Sequence, residues 1–502
     1  MMKQQINVTV DGKRGAFLQG ITLSEITKVE RPCGGHGKCG KCKVIAKGAL
    51  SDVTEAERAL LSAEEIDQGV RLACLTYAMG DCEIETLLGD GGAQIVIDGA
   101  LPQFELDPQF KRYGIAVDIG TTTLAARLYD GGGQRLSECS LLNPQQEWGA
   151  DVVSRIEAAL DGKAHLLAKA IRAALDGMVS RLCEDFGISA DAIDGMVITG
   201  NTVMLSLLTG EDVKAFSHAP FDVKRLFGET VTAHTLGLLS LQADTPVYLP
   251  PCISAFVGAD ITCSIVASQL CKKDTAALID VGTNGEMALW HDGRLTVSST
   301  AAGPAFEGVS IERGMRGGAG AIDRVAVLNG ALAAHVIGGG APVGICGSGL
   351  VDAIACLLDL ELLDESGYLE DGEVVIASPV RLTQRDVRMV QLAKSAICAG
   401  LLTLIEDRGL VAKDIPTLYI AGGFGNYLNV YSASRIGLLP MDLIKGASTI
   451  GNAALVGASM MLLNGAIKDQ ANALAKKACV LSLAESPVFS ENYMDGMTLG
   501  KI

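Results

Sequence analysis

The pattern of apolar and polar residues differs between the start of the 502-residue chain and the rest. Residues 6–23 predict a hairpin of two strands joined by an Asp-Gly turn. Strands are also predicted at residues 43–46 and 71–77, on either side of an acidic helical stretch. From Tyr113 onward, apolar strands alternate with amphipathic helices, which is typical of α/β domains. The pattern therefore predicts a small β-rich region followed by a larger α/β region.

Four cysteines in the β-rich region have the spacing C-x5-C-x2-C-x31-C. Cys33, Cys39 and Cys42 lie in one glycine-rich loop, and Cys74 lies within the later predicted strand. Three thiolates on one loop and a fourth from a distant strand are the ligands of a 2Fe–2S cluster in ferredoxin-type domains. The alternative is a structural zinc site, but zinc ribbons usually contain two C-x-x-C pairs, and this segment has one. The spacing therefore favours a 2Fe–2S cluster and electron transfer.

These features predict three boundaries along the chain. Residues 1–88 are predicted to form a β-grasp ferredoxin domain, and residues 89–112 a linker. Residues 113–274 form a first α/β lobe, and residues 275–502 a second lobe with a C-terminal extension. The linker contains Gly, Asp and Pro without strong periodicity. As a flexible coil of about 25 residues, it would have an end-to-end distance of roughly 25–30 Å.

The composition of the chain limits the kinds of partner that it could bind and the cellular compartment in which it could work. The net charge is −17 and aromatic residues make up 4% of the chain, which argues against a nucleic-acid partner. No run of about 18 apolar residues predicts a membrane span, and the N-terminus lacks the apolar core of a signal peptide. Beyond the four cluster cysteines, most of the 14 cysteines stand singly in apolar runs, as free thiols do in a reducing compartment. A cytoplasmic protein without a membrane or nucleic-acid partner is expected.

A weak internal repeat relates the two lobes. Asp118-Ile-Gly-Thr-Thr-Thr recurs as Asp280-Val-Gly-Thr-Asn, each time after an apolar strand. A carboxylate at the end of a strand can hold Mg²⁺ through water molecules, and the following turn can bind phosphate through N–H and hydroxyl groups. Asp118 and Asp280 are therefore predicted to hold Mg²⁺. The predicted phosphate-binding residues are Gly120, Thr121, Thr122, Thr123, Gly282, Thr283 and Asn284.

Two more glycine-rich turns could complete a nucleotide site. Gly422 and Gly423 follow an apolar strand, where a surface without side chains could lie against adenosine. Gly347 and Ser348 precede a helix and could contact phosphate or ribose, or only cap that helix. Each turn alone could be an ordinary tight turn. No Walker P-loop sequence, G-x-x-x-x-G-K-[ST], occurs.

The residues that would act on the phosphate chain or on a partner are less defined. Asp151 and Glu286 are candidates for a carboxylate that orients an attacking water, although Asp151 is equally typical of a helix cap. A polar stretch punctuated by Gly and Pro runs from Ser298 to Gly308. Within it, Ser298, Ser299 and Thr300 are predicted to contact a partner or its cofactor, the alternative being a long hairpin loop.

In this order and within duplicated lobes, the turns after Asp118 and Asp280 and the turn at Gly422 resemble the two phosphate loops and the adenosine loop of the ATPase superfamily of acetate kinase, sugar kinases, actin and heat-shock chaperones. This resemblance implies a two-lobed, ribonuclease-H-like α/β ATPase that binds ATP and Mg²⁺, preceded here by the 2Fe–2S ferredoxin domain.

The combination of the two domains is similar to the reductive activators of corrinoid proteins. The similarity extends over most of the chain, from Pro32-Cys-Gly-Gly-His-Gly-Lys-Cys-Gly-Lys-Cys42 and Arg71-Leu-Ala-Cys74 to Ala301-Ala-Gly-Pro-Ala-Phe-Glu-Gly308 and Gly344-Ile-Cys-Gly-Ser-Gly349. It implies ATP-dependent one-electron reduction of inactive Co(II) to Co(I). The implied partners are a corrinoid protein of a methyltransferase system and a low-potential electron donor.

The sequence departs from the family in one respect, and it leaves three other protein classes open. Better-known members carry a further domain between ferredoxin and ATPase, and its replacement by a short linker leaves the oligomeric state open, a homodimer included. The ATPase could instead be a small-molecule kinase with a regulatory ferredoxin domain, or a chaperone-like maturation factor. The activators of 2-hydroxyacyl-CoA dehydratases have similar lobes but hold a 4Fe–4S cluster between two subunits, and the N-terminal ferredoxin domain argues against them.

Overall fold

A computed structural model describes residues 5–27, 29, 37, 40, 42–86, 99–423 and 427–500. They belong to two compact units. The first unit comprises Met1–Gly92 and Pro144–Leu167, and the second comprises Ala93–Asn143 and Ala168–Ile502.

The first unit contains a mixed six-stranded sheet. Its strands are β1 (Gln5–Val10), β2 (Lys13–Leu18), β3 (Ile21–Thr22), β4 (Lys43–Leu50), β5 (Val70–Leu72) and β6 (Tyr77–Thr86), and short helices α1 (Leu23–Ile26), α2 (Glu55–Arg58) and α3 (Ala63–Asp67) connect them. The strand order is β2-β1-β6-β4-β5, with β3 beside β6. Strands β1 and β2 form the expected hairpin, and β1 runs parallel to β6.

Local sequence explains why these short elements form. Ile6 and Val8 alternate with polar residues on β1 and are buried in the core, as the two-residue period of a strand requires. Capping boxes, in which a Ser or Thr pairs with a Glu three residues later, begin α2 and α3. The single strand expected at residues 71–77 is instead two strands, because the chain turns between Leu72 and Tyr77.

The second unit contains two six-stranded sheets and two smaller ones. Its strands are β7 (Tyr113–Ile119), β8 (Thr123–Asp130), β9 (Arg135–Leu142), β10 (Ile193–Gly200), β11 (Glu229–Thr232), β12 (Pro246–Leu249), β13 (Thr275–Val281), β14 (Asn284–His291), β15 (Arg294–Ala301), β16 (Ala321–Leu328), β17 (Ala331–Val336), β18 (Gly344–Ile345), β19 (Glu373–Ala377), β20 (Val380–Thr383), β21 (Leu418–Ala421), β22 (Ala447–Gly451) and β23 (Cys479–Val480). The two smaller sheets are β17-β16-β18 and β19-β20.

The remaining helices follow in chain order. They are α4 (Val152–Ala158), α5 (Ala164–Phe186), α6 (Thr202–Thr209), α7 (Ala233–Leu236), α8 (Ala259–Ala267), α9 (Gly347–Asp359), α10 (Gln384–Glu406), α11 (Val430–Arg435), α12 (Ala453–Leu463), α13 (Gly465–Lys477) and α14 (Pro487–Asp495).

The two large sheets share the topology of five core strands, and each has one additional edge strand, β11 beside β12 and β23 beside β15. Their strand orders are β11-β12-β10-β7-β8-β9 and β22-β21-β13-β14-β15-β23. In each sheet, three consecutive strands are antiparallel, β7-β8-β9 in one and β13-β14-β15 in the other. A parallel strand pairs with the first of the three, β10 with β7 and β21 with β13, and a second parallel strand follows it. Because β7 and β13 are central strands, they are buried on both faces and almost wholly apolar. The duplicated, two-lobed α/β fold predicted from the sequence repeat is confirmed.

Helix α12 packs on β7, β10 and α8 of the first lobe and is buried along its whole length. All of its 11 residues are buried, and its apolar character all round is that of a core helix. Gly457 allows α8 to cross it closely, since an added Cβ would lie 2.0 Å from the carbonyl oxygen of Cys263. Such a helix needs cover from several neighbours.

Part of that cover is the segment expected to be a flexible linker. Residues 99–110, here called the strap, lie against the second unit: Leu101 and Phe104 pack on the core that contains α12, and Phe110 belongs to that core. The backbone N–H of Asp107 donates to the carbonyl oxygen of Leu463. The expectation of a flexible coil is therefore wrong for residues 99–110, whereas residues 87–98 lie outside the described part of the chain.

Helix α10 is long and apolar enough to cross a membrane by length and composition, and it is the one such helix in the part of the chain that the structure describes. Of its most apolar 18-residue window, 78% is buried inside the protein. It packs in the main core of the second lobe through residues such as Val390, Ile397 and Leu404. Burial in this core therefore explains why α10 is so apolar.

Candidate functional site

A cavity of about 330 Å³ in the second unit is lined by residues from both large sheets. The loops that follow β7 and β13 both contribute to it, as do the start of α9 and the turn after β21. The predicted site residues that line it are Asp118, Gly120, Thr121, Thr122, Thr123, Asp280, Gly282, Thr283, Asn284, Glu286, Gly347, Ser348, Gly422 and Gly423. The structure thus brings together residues that are up to 305 positions apart in the chain.

Two asparagines that the sequence analysis missed hold the first loop. Asn201 and Asn452 are the N-caps of α6 and α12. The side-chain N–H of Asn201 donates to Thr121 Oγ1 (3.1 Å), and that of Asn452 donates to Asp118 Oδ2 (2.9 Å). Both asparagines follow a glycine at the end of a parallel strand. This repeated Gly-Asn pair was a signal that could have identified them.

Glu307 connects the two phosphate-binding loops. It ends a 3₁₀ turn, Pro304–Glu307, and it lines the cavity. Its Oε2 accepts a hydrogen bond from Thr122 Oγ1 (2.7 Å), and its Oε1 accepts one from Thr283 Oγ1 (2.5 Å). A single carboxylate therefore accepts hydrogen bonds from one hydroxyl group of each loop, and the two loops belong to different lobes.

Four further carboxyl groups line the cavity, and burial raises the pKa of each. Burial raises the pKa of Asp118 to about 7, against a hydrogen bond from Asn452 and with the help of Asp260. Burial, Asp260 and Asp118 raise the pKa of Asp280 to about 7, and burial raises that of Asp260 to about 6. The pKa of Glu286 is raised well above its usual range by burial and by Asp260. Buried carboxyls of this kind favour a bound cation.

The donor set fits Mg²⁺ held through water. No three His, Cys, Asp or Glu side chains within the described ranges are arranged to ligate one metal ion directly. Mg²⁺ commonly keeps several waters and uses one or two carboxylates together with phosphate oxygens. Among the described residues that line the cavity, Arg316 is the one Lys or Arg side chain. Since carboxyls outnumber it, a polyphosphate needs a divalent cation to enter.

The glycines at the cavity have distinct roles. Gly422 has a φ of +95°, and an added Cβ would lie 2.6 Å from Asp280 Oδ1, so a side chain there would displace that carboxylate. An added Cβ at Gly423 would meet nothing within 4 Å, which suits a flat surface for a ligand. The rest of this predicted turn, including Gly425, lies outside the described residues.

At the start of α9, Gly347 and Ser348 line the cavity. The N-terminus of this 13-residue helix presents unpaired N–H groups and a partial positive charge that suit phosphate. The hydroxyl of Ser348 donates to the carbonyl oxygen of Asp323 (2.9 Å). The hydroxyl is thus already used within the protein, and the backbone N–H groups are the better phosphate ligands.

The cluster-binding residues lie partly within the described chain. Cys33 and Cys39 lie outside it. Cys42 Sγ and Cys74 Sγ are 3.2 Å apart and form no disulfide, and Gly37 and Gly40 have positive φ angles near +66°. Two adjacent thiols, one from the glycine-rich loop and one from the distant turn, fit the predicted 2Fe–2S ligation.

A buried ion pair supports the turn that carries Cys74. Glu57 accepts hydrogen bonds from Arg71 Nε (2.9 Å), the backbone N–H of Leu72 (3.2 Å) and Thr76 Oγ1 (2.9 Å). Burial opposes ionisation of Glu57, but these hydrogen bonds, Arg71 first, lower the pKa of its carboxyl below the usual range. Glu57 thus fixes the backbone on both sides of Cys74, and this gives a physical reason for the Arg71-Leu-Ala-Cys74 sequence.

Asp151 lies in the first unit and caps α4. Its Oδ1 accepts from the backbone N–H (2.7 Å) and Oγ (2.8 Å) of Ser154. This is the capping role named as the alternative. It is not one of the described residues that line the cavity, and its role in hydrolysis stays a prediction.

The first four residues of the polar stretch, Ser298 to Ala301, are the end of β15 rather than part of a loop, and a 3₁₀ turn follows at Pro304–Glu307. Ser298 and Thr300 are buried, and Ser298 Oγ donates to the carbonyl oxygen of Leu481 (2.8 Å). Ser299 is half-buried. Contact of these three residues with a partner stays a prediction, and Ser299 is the most accessible of them.

A ferredoxin-type domain and a two-lobed fold with paired phosphate loops define the chain as an ATP-binding iron–sulfur protein. Three family models match it: the 2Fe-2S iron-sulfur cluster binding domain at residues 3–79, the RACo middle region at residues 113–273, and the C-terminal, ASKHA domain of RACo at residues 274–501. The middle-region model coincides with the first lobe. The chain belongs to the family of reductive activators of corrinoid proteins.

Relatives over most of the chain carry this assignment. The chain is 36% identical over 424 residues to the corrinoid activation enzyme RamQ of Eubacterium limosum, covering 77% of this chain and 70% of the relative. It is 26% identical over 419 residues to the [Co(II) methylated amine-specific corrinoid protein] reductase of Methanosarcina barkeri, covering 76% of each. A solved reductive activator for corrinoid,iron-sulfur protein is 28% identical, with a TM-score of 0.72 over 98% of both chains. The kinase and chaperone alternatives are not favoured by these relatives.

Proposed function

We propose that the protein reduces the inactive Co(II) form of a corrinoid protein to Co(I), with ATP hydrolysis coupled to the transfer. The observation that carries this proposal is the presence, in one chain, of adjacent cluster thiols and a carboxyl-rich cavity with two opposed phosphate loops. A reduced 2Fe–2S cluster supplies one electron, at a potential near −400 mV in plant-type ferredoxins. Each 100 mV of uphill one-electron transfer costs about 2.3 kcal/mol, so a coupled reaction is needed when the cobalt potential is lower.

The residues of the cavity have separate tasks in this proposal. Asp118 and Asp280 hold Mg²⁺ through water, and Asn452 keeps Asp118 in place. Thr122 and Thr283 donate to Glu307 in the structure described here. When phosphate enters, their hydroxyls donate to phosphate oxygens instead. Nucleotide binding therefore replaces a contact within the protein that joins the lobes, and this gives ATP a direct influence on their closure.

We assign the orientation of the attacking water to Glu286 rather than to Asp151. Glu286 lines the cavity, whereas Asp151 is occupied as a helix cap. A general base works best when its pKa lies near the working pH, and burial raises the pKa of Glu286 in that direction. Proton transfer from water to this carboxyl accompanies attack on the terminal phosphate, and phosphate and ADP leave.

The proposal also names an electron acceptor, an electron donor and a cellular compartment. The electron acceptor is a corrinoid protein of a methyltransferase system, and a low-potential donor reloads the cluster. We place the protein in the cytoplasm. In support, the 12 cysteines within the described residues form no disulfide, as expected where thiols stay reduced.

The proposal is tested by mixing the protein anaerobically with a strong reductant, Mg-ATP and a Co(II) corrinoid protein. Loss of the Co(II) absorption and growth of the Co(I) band are expected, and omission of ATP should stop both. Cys74→Ala should also stop them while ATP hydrolysis continues. Phosphorylation of a small acceptor, with Co(II) untouched in several candidate partners, would instead support the kinase alternative.

A further inference from the structure

The strap, residues 99–110, follows α12 from one end to the other. At the start of the helix, an added Cβ on Gly99 would lie 2.7 Å from Val456 Cγ2 and 3.3 Å from the carbonyl oxygen of Asn452. At the other end, the backbone N–H of Asp107 donates to the carbonyl oxygen of Leu463 (2.8 Å). The strap therefore contacts both the first and the last turn of α12.

The first half of the strap is held by modest contacts. Leu101 and Phe104 are only partly buried against the core. Two side-chain amides bind the strap backbone: Gln269 donates to the carbonyl oxygen of Gln103 (3.2 Å), and Asn464 donates to that of Glu105 (2.8 Å). Segments with few buried contacts open locally, well below the free energy of global unfolding. The first half of the strap can therefore open locally, while Asp107 and Phe110 keep the second half on the lobe.

Asn452 lies where the strap meets the cavity. Its side-chain Oδ1 accepts from the backbone N–H of Leu455 (2.8 Å), which caps α12, and its Nδ2 donates to Asp118 Oδ2 (2.9 Å). Its carbonyl oxygen faces Gly99. One residue thus contacts both the strap and a carboxylate assigned to the Mg-nucleotide.

We propose that Asn452 is a positioning residue that couples nucleotide binding to docking of the strap. A docked strap packs on the first turn of α12, which fixes the side chain of Asn452 and, through it, the orientation of Asp118. Mg-nucleotide binding needs Asp118 in that orientation and so favours the docked strap. Linkage makes the effect reciprocal: docking tightens nucleotide binding by the same factor by which nucleotide favours docking. The inference rests on the proposed nucleotide site.

Docking of the strap sets the reach of the ferredoxin domain. With the strap docked, the tether runs from Thr86, the end of β6, to Gly99, which is 13 residues and at most about 45 Å. With the first half of the strap released, it runs to Asp107, which is 21 residues and at most about 70 Å. Nucleotide loading therefore shortens the length of chain between the ferredoxin domain and the first anchored residue of the strap.

Hydrogen exchange of residues 99–110 in the full-length protein, with and without Mg²⁺ and the non-hydrolysable analogue AMP-PNP, tests the coupling. Wild type should exchange at least fivefold more slowly when loaded. Gly99→Ala, which adds a Cβ against Val456, should speed exchange and weaken AMP-PNP binding by the same factor.

Asn452→Ser separates the two contacts of this residue. Serine still caps a helix but is too short to reach Asp118. This variant should keep α12 intact, bind AMP-PNP about tenfold more weakly and lose the nucleotide effect on exchange. Gly177→Ala is the matched control, because an added Cβ there meets nothing within 4 Å, and it should change neither readout.

The outcomes discriminate between the two proposals. If Asn452→Ser keeps the nucleotide effect on exchange, or if Gly99→Ala speeds exchange with unchanged AMP-PNP affinity, the coupling is overturned. Normal AMP-PNP binding to wild type with unchanged exchange of the strap overturns the coupling alone. Absence of any AMP-PNP binding overturns both the nucleotide site and the coupling.

Discussion

Thr122 Oγ1 lies 2.7 Å from Glu307 Oε2, although 185 positions separate the two residues in the chain. The other oxygen of the same carboxylate accepts from Thr283. The hydroxyls best placed to bind phosphate in the two loops therefore already have an anionic partner within the protein. Any nucleotide that enters must compete with it.

Glu307→Gln should tighten nucleotide binding. The substitution removes a negative charge beside the phosphates and weakens the hydrogen bonds to Thr122 and Thr283. Hydrogen bonds to charged groups are stronger than neutral ones by on the order of 1 kcal/mol, so affinity for Mg-ADP should rise about fivefold to tenfold in calorimetry. The exposed Glu370 provides the control, Glu370→Gln, which should leave the affinity unchanged. Weaker binding by Glu307→Gln would show that this carboxylate assists the nucleotide rather than competing with it.

The carboxyl cluster should make the protein less stable as the pH rises. The pKa of Asp280 is about 7 in the folded protein, against an ordinary value of 3.8. Between these values the unfolded chain releases a proton that the folded chain keeps, so this contribution to stability is present below about pH 4 and lost as the pH rises through 7. In EDTA, the melting temperature of Asp280→Asn should therefore exceed that of wild type at pH 8 and equal it near pH 4.

The same substitution should harm nucleotide binding. Without the carboxylate, Mg-ATP should bind about tenfold more weakly, which is about 1.4 kcal/mol, while the cluster spectrum stays intact. Asp118→Asn should behave in the same way, and Asp371→Asn at an exposed site should match wild type in both measurements. Normal Mg-ATP binding by both cavity variants would mean that the two loops are misassigned.

The iron content tests the ferredoxin domain. Anaerobically purified protein should contain about two iron and two sulfide per chain and should give a half-integer-spin signal after reduction. Alanine at Cys33, Cys39, Cys42 or Cys74 should abolish the signal. Cys82→Ala, at a buried thiol in β6, should keep it, and stoichiometric zinc without iron would contradict the assignment.

The ion pair between Glu57 and Arg71 should be needed to hold the cluster. Glu57→Ala leaves the buried Arg71 guanidinium without its carboxylate, which costs about 3–5 kcal/mol for a buried pair. The cluster absorption should then bleach several times faster in air. The more exposed pair of Lys43 and Glu65 supplies the control, since Lys43→Ala should cost about 1 kcal/mol or less. Equal bleaching rates in the two variants would argue against a role for Glu57 at Cys74.

Local patterns in the sequence predicted the fold well. The recurrence of a strand, an aspartate and a Gly-Thr turn predicted two lobes, and the sheets confirm it with the same order of their five core strands. Such features are visible because strand periodicity and turn chemistry depend on neighbouring residues. The contacts of Glu307 with both loops depend instead on chain segments that meet only after folding. No local sequence pattern predicts these contacts.

The strap shows a second kind of limit. Leu101, Phe104 and Phe110 are spaced irregularly, so no helix or strand period marks them as buried. The available signal lay elsewhere, in α12, whose lack of any polar face requires cover on all sides. A deletion of residues 92–110 would shorten the tether, but it would also remove packing from the second unit. As a test of what the strap does, it is therefore less selective than Gly99→Ala.

If Asp118 and Asp280 hold Mg²⁺ as proposed, their raised pKa values make loading of the cavity an ion exchange. At neutral pH and without a divalent cation, Asp118 and Asp280 are partly protonated, and a cation that binds beside them displaces those protons. The measured heat of binding should then vary with the ionisation enthalpy of the buffer. The cavity thereby links the loading of an electron-transfer protein to the acidity and magnesium level of its surroundings.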